Sequence, residues 1–193
     1  MRSSQPPFRP ALARLADVSP LWAGAVLVVG VALLAWSAQL SIPVEPVPIT
    51  LQSYVLISLA ALLGWQLGGL AVVAYVAIGL MGLPVFSGGR SGVAMLTGTS
   101  GGFIAGFIVT ALLVGWLEEN RARARTLPLL GTLALGHLVL LMMGAGWLAT
   151  LRGASFALEQ GFLPFLPGAV LKTIFALATI IAVERLAGTP RGR

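Results

Sequence analysis

From Pro46 to Gly89 the chain carries no Asp, Glu, Lys or Arg, and the same is true of residues 18–44, 91–117 and 126–151. A helix that crosses a membrane needs about 20 consecutive apolar residues, because lipid offers its backbone no water. Each of these runs is therefore long enough to cross. The run 46–89 is too long for one span and has to reverse once, most naturally at Trp65-Gln66-Leu67-Gly68-Gly69, where paired glycines weaken the helix. Spans are expected near residues 21–40, 50–64, 67–83, 102–117, 127–150 and 165–186. The expected fold is an all-α integral membrane bundle of six transmembrane helices, one domain over residues 1–193, with an amino-terminal arm (1–20) and a tail (187–193). The second and third spans are short for a hydrocarbon layer of about 30 Å, so they must tilt or bury their ends.

Composition agrees: 58% of residues are hydrophobic and 9% charged, against roughly a quarter charged in a water-soluble domain. The chain has no cysteine, which excludes disulfides, iron–sulfur ligation and thiol catalysis and removes the usual ligands of structural zinc. A net charge of +6 would suit nucleic acid, but the basic residues cluster between apolar runs, where they act as topology signals. With the amino terminus in the cytoplasm, the inner face receives Arg2, Arg9, Arg14, Arg121, Arg123, Arg125, Arg185, Arg191 and Arg193, and the outer face only Arg90 and Arg152. This asymmetry predicts that both termini of a multi-pass protein of the cytoplasmic (plasma) membrane are cytoplasmic. Trp22, Trp36, Trp65, Trp116 and Trp147 fall near span ends, as interfacial rings do. The first apolar region is too long for a cleaved signal peptide.

The chemistry lies in the outer connections. Pro43, Pro46 and Pro48 forbid helix between the first two spans and predict an extended turn, after which Gln52 starts a helix with its amide at the outer mouth. Gln52 reads either as a capping residue or as a neutral hydrogen-bonding group for a polar solute. In the third connection, Gly82-Leu83-Pro84-Val85-Phe86-Ser87-Gly88-Gly89-Arg90 precedes Gly98-Thr99-Ser100-Gly101-Gly102-Phe103. Glycine permits close backbone approach to a guest, and Ser100-Gly101-Gly102 at a helix start offers backbone N–H groups to an anion or carbonyl. No Walker lysine follows, so this is not a nucleotide loop.

The last span carries the only lysine. Pro167 starts that helix, which sets Lys172 about 8 Å inside its outer end on a face shared with Phe165, Gly168, Ala169, Phe175, Ala176 and Thr179. Small residues leave room beside the amine, and Phe165 and Phe175 are expected to flank a flat ring. Lys172 either snorkels outward or holds an anion or carbonyl. His137, the only histidine, reads as a hydrogen-bonded bundle residue, since no second metal ligand lies at i±3 or i±4.

Four ordered segments, Val47 to Gln52, Gly82 to Gly89, Gly98 to Phe103 and Leu163 to Gly168 with Lys172, together resemble the biotin-uptake S components (BioY family) of energy-coupling-factor transporters. The resemblance covers nearly the whole chain. It implies a six-helix bundle that binds biotin near its outer face, in contact with membrane lipid. It also implies partnership with a transmembrane coupling subunit and two ABC-type ATPases, without a cofactor or nucleic acid. Substrate contacts are expected from Gln52, Phe86, Ser87, Arg90, Ser100, Gly101, Gly102, Phe103, Phe165, Ala169, Lys172 and Phe175, with no catalytic or metal-binding residue. Three positions depart from the family pattern: Ala169 stands where aspartate is usual, Phe103 where tyrosine is usual and Thr99 where proline is usual. Without a carboxylate one turn before Lys172, the acceptor role falls to Glu45, Gln52 or backbone carbonyls, or the substrate differs.

Other classes fit the residues less well. An intramembrane enzyme needs paired carboxylates, a metal cluster or a nucleophile–base pair, and no serine neighbours Lys172 along its own helix. The alternatives are an S component for a different small vitamin and a structural membrane protein built on small-residue packing.

Overall fold

The computed structural model describes Pro10, Leu12, residues 19–120 and residues 126–188. Of the arginines behind the charge asymmetry, Arg2, Arg9, Arg14, Arg121, Arg123, Arg125, Arg191 and Arg193 lie outside the described residues.

Five long helices account for most of the fold: α1 (Pro20–Gln39), α2 (Gln52–Leu80), α3 (Gly101–Glu119), α4 (Thr126–Arg152) and α5 (Leu166–Leu186). α1 starts where Ser19 Oγ accepts the Trp22 N–H at 3.3 Å and Pro20 supplies a fixed φ at its first turn. α2, α3, α4 and the run Ala154–Leu186 are, like α1, apolar and long enough to cross a membrane, which makes this a multi-pass membrane protein.

α2 is two helical arms. Gly64 breaks it with φ 77° and ψ −180°, a conformation only glycine adopts without strain. The chain folds back there, so that Gly68 packs against the backbone of Ala60 and both ends of α2 reach the same end of the bundle. The reversal thus falls at Gly64 rather than over residues 65–69. Gly68 and Gly69 are helical, and their missing side chains admit Ala60 and Leu112 instead. A lone glycine with positive φ is enough to turn the chain, whereas a glycine pair inside a helix serves close packing.

α2 and α3 form the central layer, with α1 against α2 and α4 against α3, while α5 closes on α2 and α4. Leu56, Ile57, Leu63, Val72, Tyr75, Leu129, Leu133 and Ile180 are fully buried in the shared core. By contrast Trp22, Trp36, Trp65, Trp116 and Trp147 all expose their rings, and much of α1 is exposed.

The connections at one end are ordered. Ser41–Ile42 pairs antiparallel with Ile49–Thr50, so the proline-rich segment between them is the turn of a short β-hairpin. Residues 154–164, which lie between the expected spans 127–150 and 165–186, continue as helical turns of α, π and 3₁₀ type packed on α4.

Candidate functional site

The hairpin, the glycine-rich third connection and the neighbouring parts of α2, α3, α4 and α5 surround a pocket of about 690 Å³, counted with its open mouth. Its lining is mainly apolar with a few convergent polar groups, the usual pattern of a small-molecule site.

Its walls follow from local packing. Phe86 is buried edge-on against Tyr75, with centroids 5.6 Å apart and planes at 88°, while the Tyr75 hydroxyl donates to Val85 O at 3.0 Å. Phe103 and Phe165 stack at 5.6 Å and 26°, joining α3 to the start of α5 as an aromatic wall. Phe103 reaches that position because Gly144 on α4 leaves space for its ring.

Polar groups enter from several elements. Lys172 is half-buried, and its ammonium donates to Thr50 O, at the end of the hairpin, and to Ser53 Oγ at 3.1 Å. The lysine therefore ties α5 to the hairpin instead of extending toward lipid. The sequence offered no serine near Lys172 along its own helix, yet the fold brings Ser53 from α2. Arg90 sits exposed at the rim, its Nε donating to Ser87 O at 2.9 Å. Gln52, Ser87 and Ser100 also line the cavity and are buried, and the Gln52 Nε2 has no hydrogen-bond partner among the described residues. Ala169 lines it too. Glu45 is exposed in the hairpin turn, and no carboxylate is among the lining residues.

Three expected contacts do not reach the cavity. Gly101 and Gly102 face the Leu96 carbonyl, Trp147 and the Met143 carbonyl, and the Gly101 N–H already donates to Gly98 O at 3.1 Å. They are thin because α4 presses on them. Phe175 is 64% exposed. The buried stripe of α5 runs through Thr173, Ala176, Ile180 and Glu184, which puts Lys172 at its border and carries Phe175 to the outer side.

Residues outside the expected set hold the site together. Gln39 donates to Val85 O and Phe86 O at 3.3 and 3.2 Å and accepts the Gly89 N–H at 3.1 Å, fixing the loop that carries Ser87 and Arg90. Gly88 and Gly89, at φ 70° and 69°, allow that loop its tight reversal. Thr99 donates to Pro46 O at 2.8 Å, a bond the usual proline could not make, and so pins the hairpin turn over the third connection. His137 hydrogen-bonds within the bundle as expected, to Leu133 O and Thr173 Oγ1, and also lines the cavity.

Comparison with known proteins agrees with this geometry. The chain is 36% identical over 170 residues, 85% of its length and 93% of the relative's, to the biotin transporter BioY2 of Lactococcus lactis. It is 36% identical over 158 residues to a probable biotin transporter BioY of Pyrococcus horikoshii, covering 82% and 91% of the two chains. Among solved structures, the S-component for biotin from an ECF-type ABC transporter superposes with a TM-score of 0.78 at 28% identity, over 89% of this chain and 94% of that one. The model of the BioY family matches residues 12–189, and the chain belongs to that family.

Proposed function

We propose that this chain is the substrate-specific subunit of an ECF-type transporter that binds biotin at the pocket between the hairpin and α5 and delivers it across the cytoplasmic membrane. It is a transport subunit, not an enzyme: the relatives are biotin transporters, and the Lys172 ammonium donates to Ser53 Oγ and Thr50 O rather than activating the serine. The observation that carries the reading is an aromatic-walled pocket holding two cations and no carboxylate. Biotin offers a carboxylate on a flexible chain and, at its other end, a ureido ring with a carbonyl and two N–H groups on a flat apolar body. Arg90 at the rim suits the carboxylate, which keeps part of its hydration there, and the half-buried Lys172 suits the ureido carbonyl. Phe86, Phe103 and Phe165 sandwich the ring system.

In this reading the chain crosses the membrane six times with both termini in the cytoplasm, α2 supplying two short crossings that turn at Gly64. Uptake against a gradient draws on a transmembrane coupling subunit and two ABC-type ATPases. The exposed face of α1 around Gly24, where no atom lies within 4 Å of an added Cβ, is the surface offered to that subunit. Binding of a panel of radiolabelled vitamins to the purified protein tests the reading. Saturable binding of biotin alone is expected, while binding of another vitamin in its place, or of none, refutes it.

A further inference from the structure

His137 presents an unused acceptor to the pocket. It is 4% exposed, sits in the middle of α4, and its Nε2 has no hydrogen-bond partner among the described residues, an arrangement that costs stability unless something completes it. The rest of the ring is held firmly. Nδ1 lies 3.2 Å from Leu133 O, and a carbonyl only accepts, so Nδ1 carries the hydrogen. Thr173 Oγ1, 2.9 Å from Nδ1, donates its own hydrogen to Ala169 O at 2.8 Å and is free to share the Nδ1 hydrogen as a second acceptor. In the neutral ring this tautomer leaves Nε2 as a bare lone pair.

The other lining groups make that lone pair important. Lys172 and Arg90 are pure donors, no carboxylate lines the pocket, and Thr50 O is already engaged by Lys172. A guest with N–H groups therefore meets few acceptors in the half of the pocket that holds Lys172. Thr173, adjacent to Lys172 on α5, anchors the imidazole, so the amine and the ring belong to the same region of the wall.

We infer that His137 Nε2 is a specificity-determining acceptor for a ureido N–H of the bound ligand, positioned by Thr173 and Leu133. This rests on the biotin reading above and adds to it a residue on α4. In this arrangement Lys172 donates to the ureido oxygen while His137 accepts from a nitrogen of the same ring. A cyclic urea is thus distinguished from a lactone or carbonate of equal shape, which would leave Nε2 unsatisfied.

The test uses the full-length protein in lipid nanodiscs. In His137→Asn the side-chain amide keeps a donor near the Nδ1 position and loses Nε2. It should bind biotin about tenfold to about thirtyfold more weakly at unchanged thermal stability, with His137→Gln recovering part of the loss. His137 is the sole histidine, so ¹⁵N-histidine labelling gives a single pair of ring resonances in the wild type. Biotin should move the pyridine-type Nε2 resonance upfield. This measurement decides the matter even where both variants fail to fold. A biotin-saturated protein with an unmoved Nε2 resonance, or a folded His137→Asn protein of unchanged affinity, overturns the inference and leaves the biotin reading intact. A wild type that binds no biotin overturns both.

Discussion

Replacing Lys172 probes the pocket most directly, because this amine links the helix that carries it to the hairpin over the site. Its Nζ donates to Thr50 O and, at 3.1 Å, to Ser53 Oγ, and it is half-buried beside an aromatic wall. A hydrogen bond from a charged donor to a bound carbonyl contributes about 1.5–3 kcal/mol, and about 1.4 kcal/mol is a factor of ten in affinity. Lys172→Ala should therefore weaken biotin binding by about tenfold to about a hundredfold. The same change frees Thr50 O and loosens the hairpin, so some of the loss could come from disorder rather than from the missing contact. Lys172→Met also frees Thr50 O but retains an unbranched apolar stem in place of a cavity, so comparing the two variants shows how much of the loss follows stability. Isothermal titration with biotin and a thermal melt on each variant give affinity and stability side by side. The expected pattern is a similar affinity loss in both, with the smaller stability loss in Lys172→Met. Lys172→Arg should recover little, since a planar fork needs more room than the space between Thr50 and Ser53 provides. Unchanged affinity in Lys172→Met would show that the amine anchors the hairpin only, and that the ligand lies elsewhere.

Reporter fusions should report Arg123 and the carboxyl terminus in the cytoplasm and Arg90 and Arg152 outside; an external Arg123 refutes the assigned orientation. Gly24→Leu should weaken co-purification of the coupling subunit while sparing biotin affinity and thermal stability, since an added side chain there meets nothing within the chain. Gly144→Ala places a methyl against the Phe103 ring, and overpacking of this kind costs about 1–3 kcal/mol. Because Phe103 lines the pocket, the melting temperature and the biotin affinity should fall together; loss of stability alone would mean that the ring re-seats without moving the wall. Gln39→Ala removes three contacts to the segment from Val85 to Gly89 and should weaken biotin binding through Arg90, with little effect on a biotin ester that lacks the carboxylate.

The helical bundle was legible because lipid leaves a chain few choices: an uncharged run of sufficient length becomes a helix, and the runs between charges marked where α1, α3 and α4 lie. The reversal within α2 was legible in kind, though its position was not. Three glycines, Gly64, Gly68 and Gly69, compete for that role in sequence, and the choice depends on which of them faces Ala60, Leu112 and the end of α3. Residues 154–164 fell between two expected spans, since Gly161 and Pro164 suggest a break, whereas π and 3₁₀ turns accommodate them on the face of α4.

The site was legible where one residue type is rare for its surroundings and hidden where a contact joins distant parts of the chain. Lys172, Arg90 and Gln52 stood out as polar groups beside apolar runs, and all three line the pocket. Phe175 was a reasonable expectation from its spacing to Lys172, but the buried stripe passes through Thr173 and Ala176, so the aromatic falls outside. Gln39, Ser53 and Thr99 could not be found by spacing, because their partners are supplied by other elements after folding. His137 is different. An ionisable residue in the middle of a lipid-crossing helix carries a functional expectation by itself, since burial there is costly and a satisfied ring needs partners on both nitrogens. Leu133 lies at i−4 and Thr173 on a neighbouring helix; they satisfy one nitrogen and leave the other to the pocket.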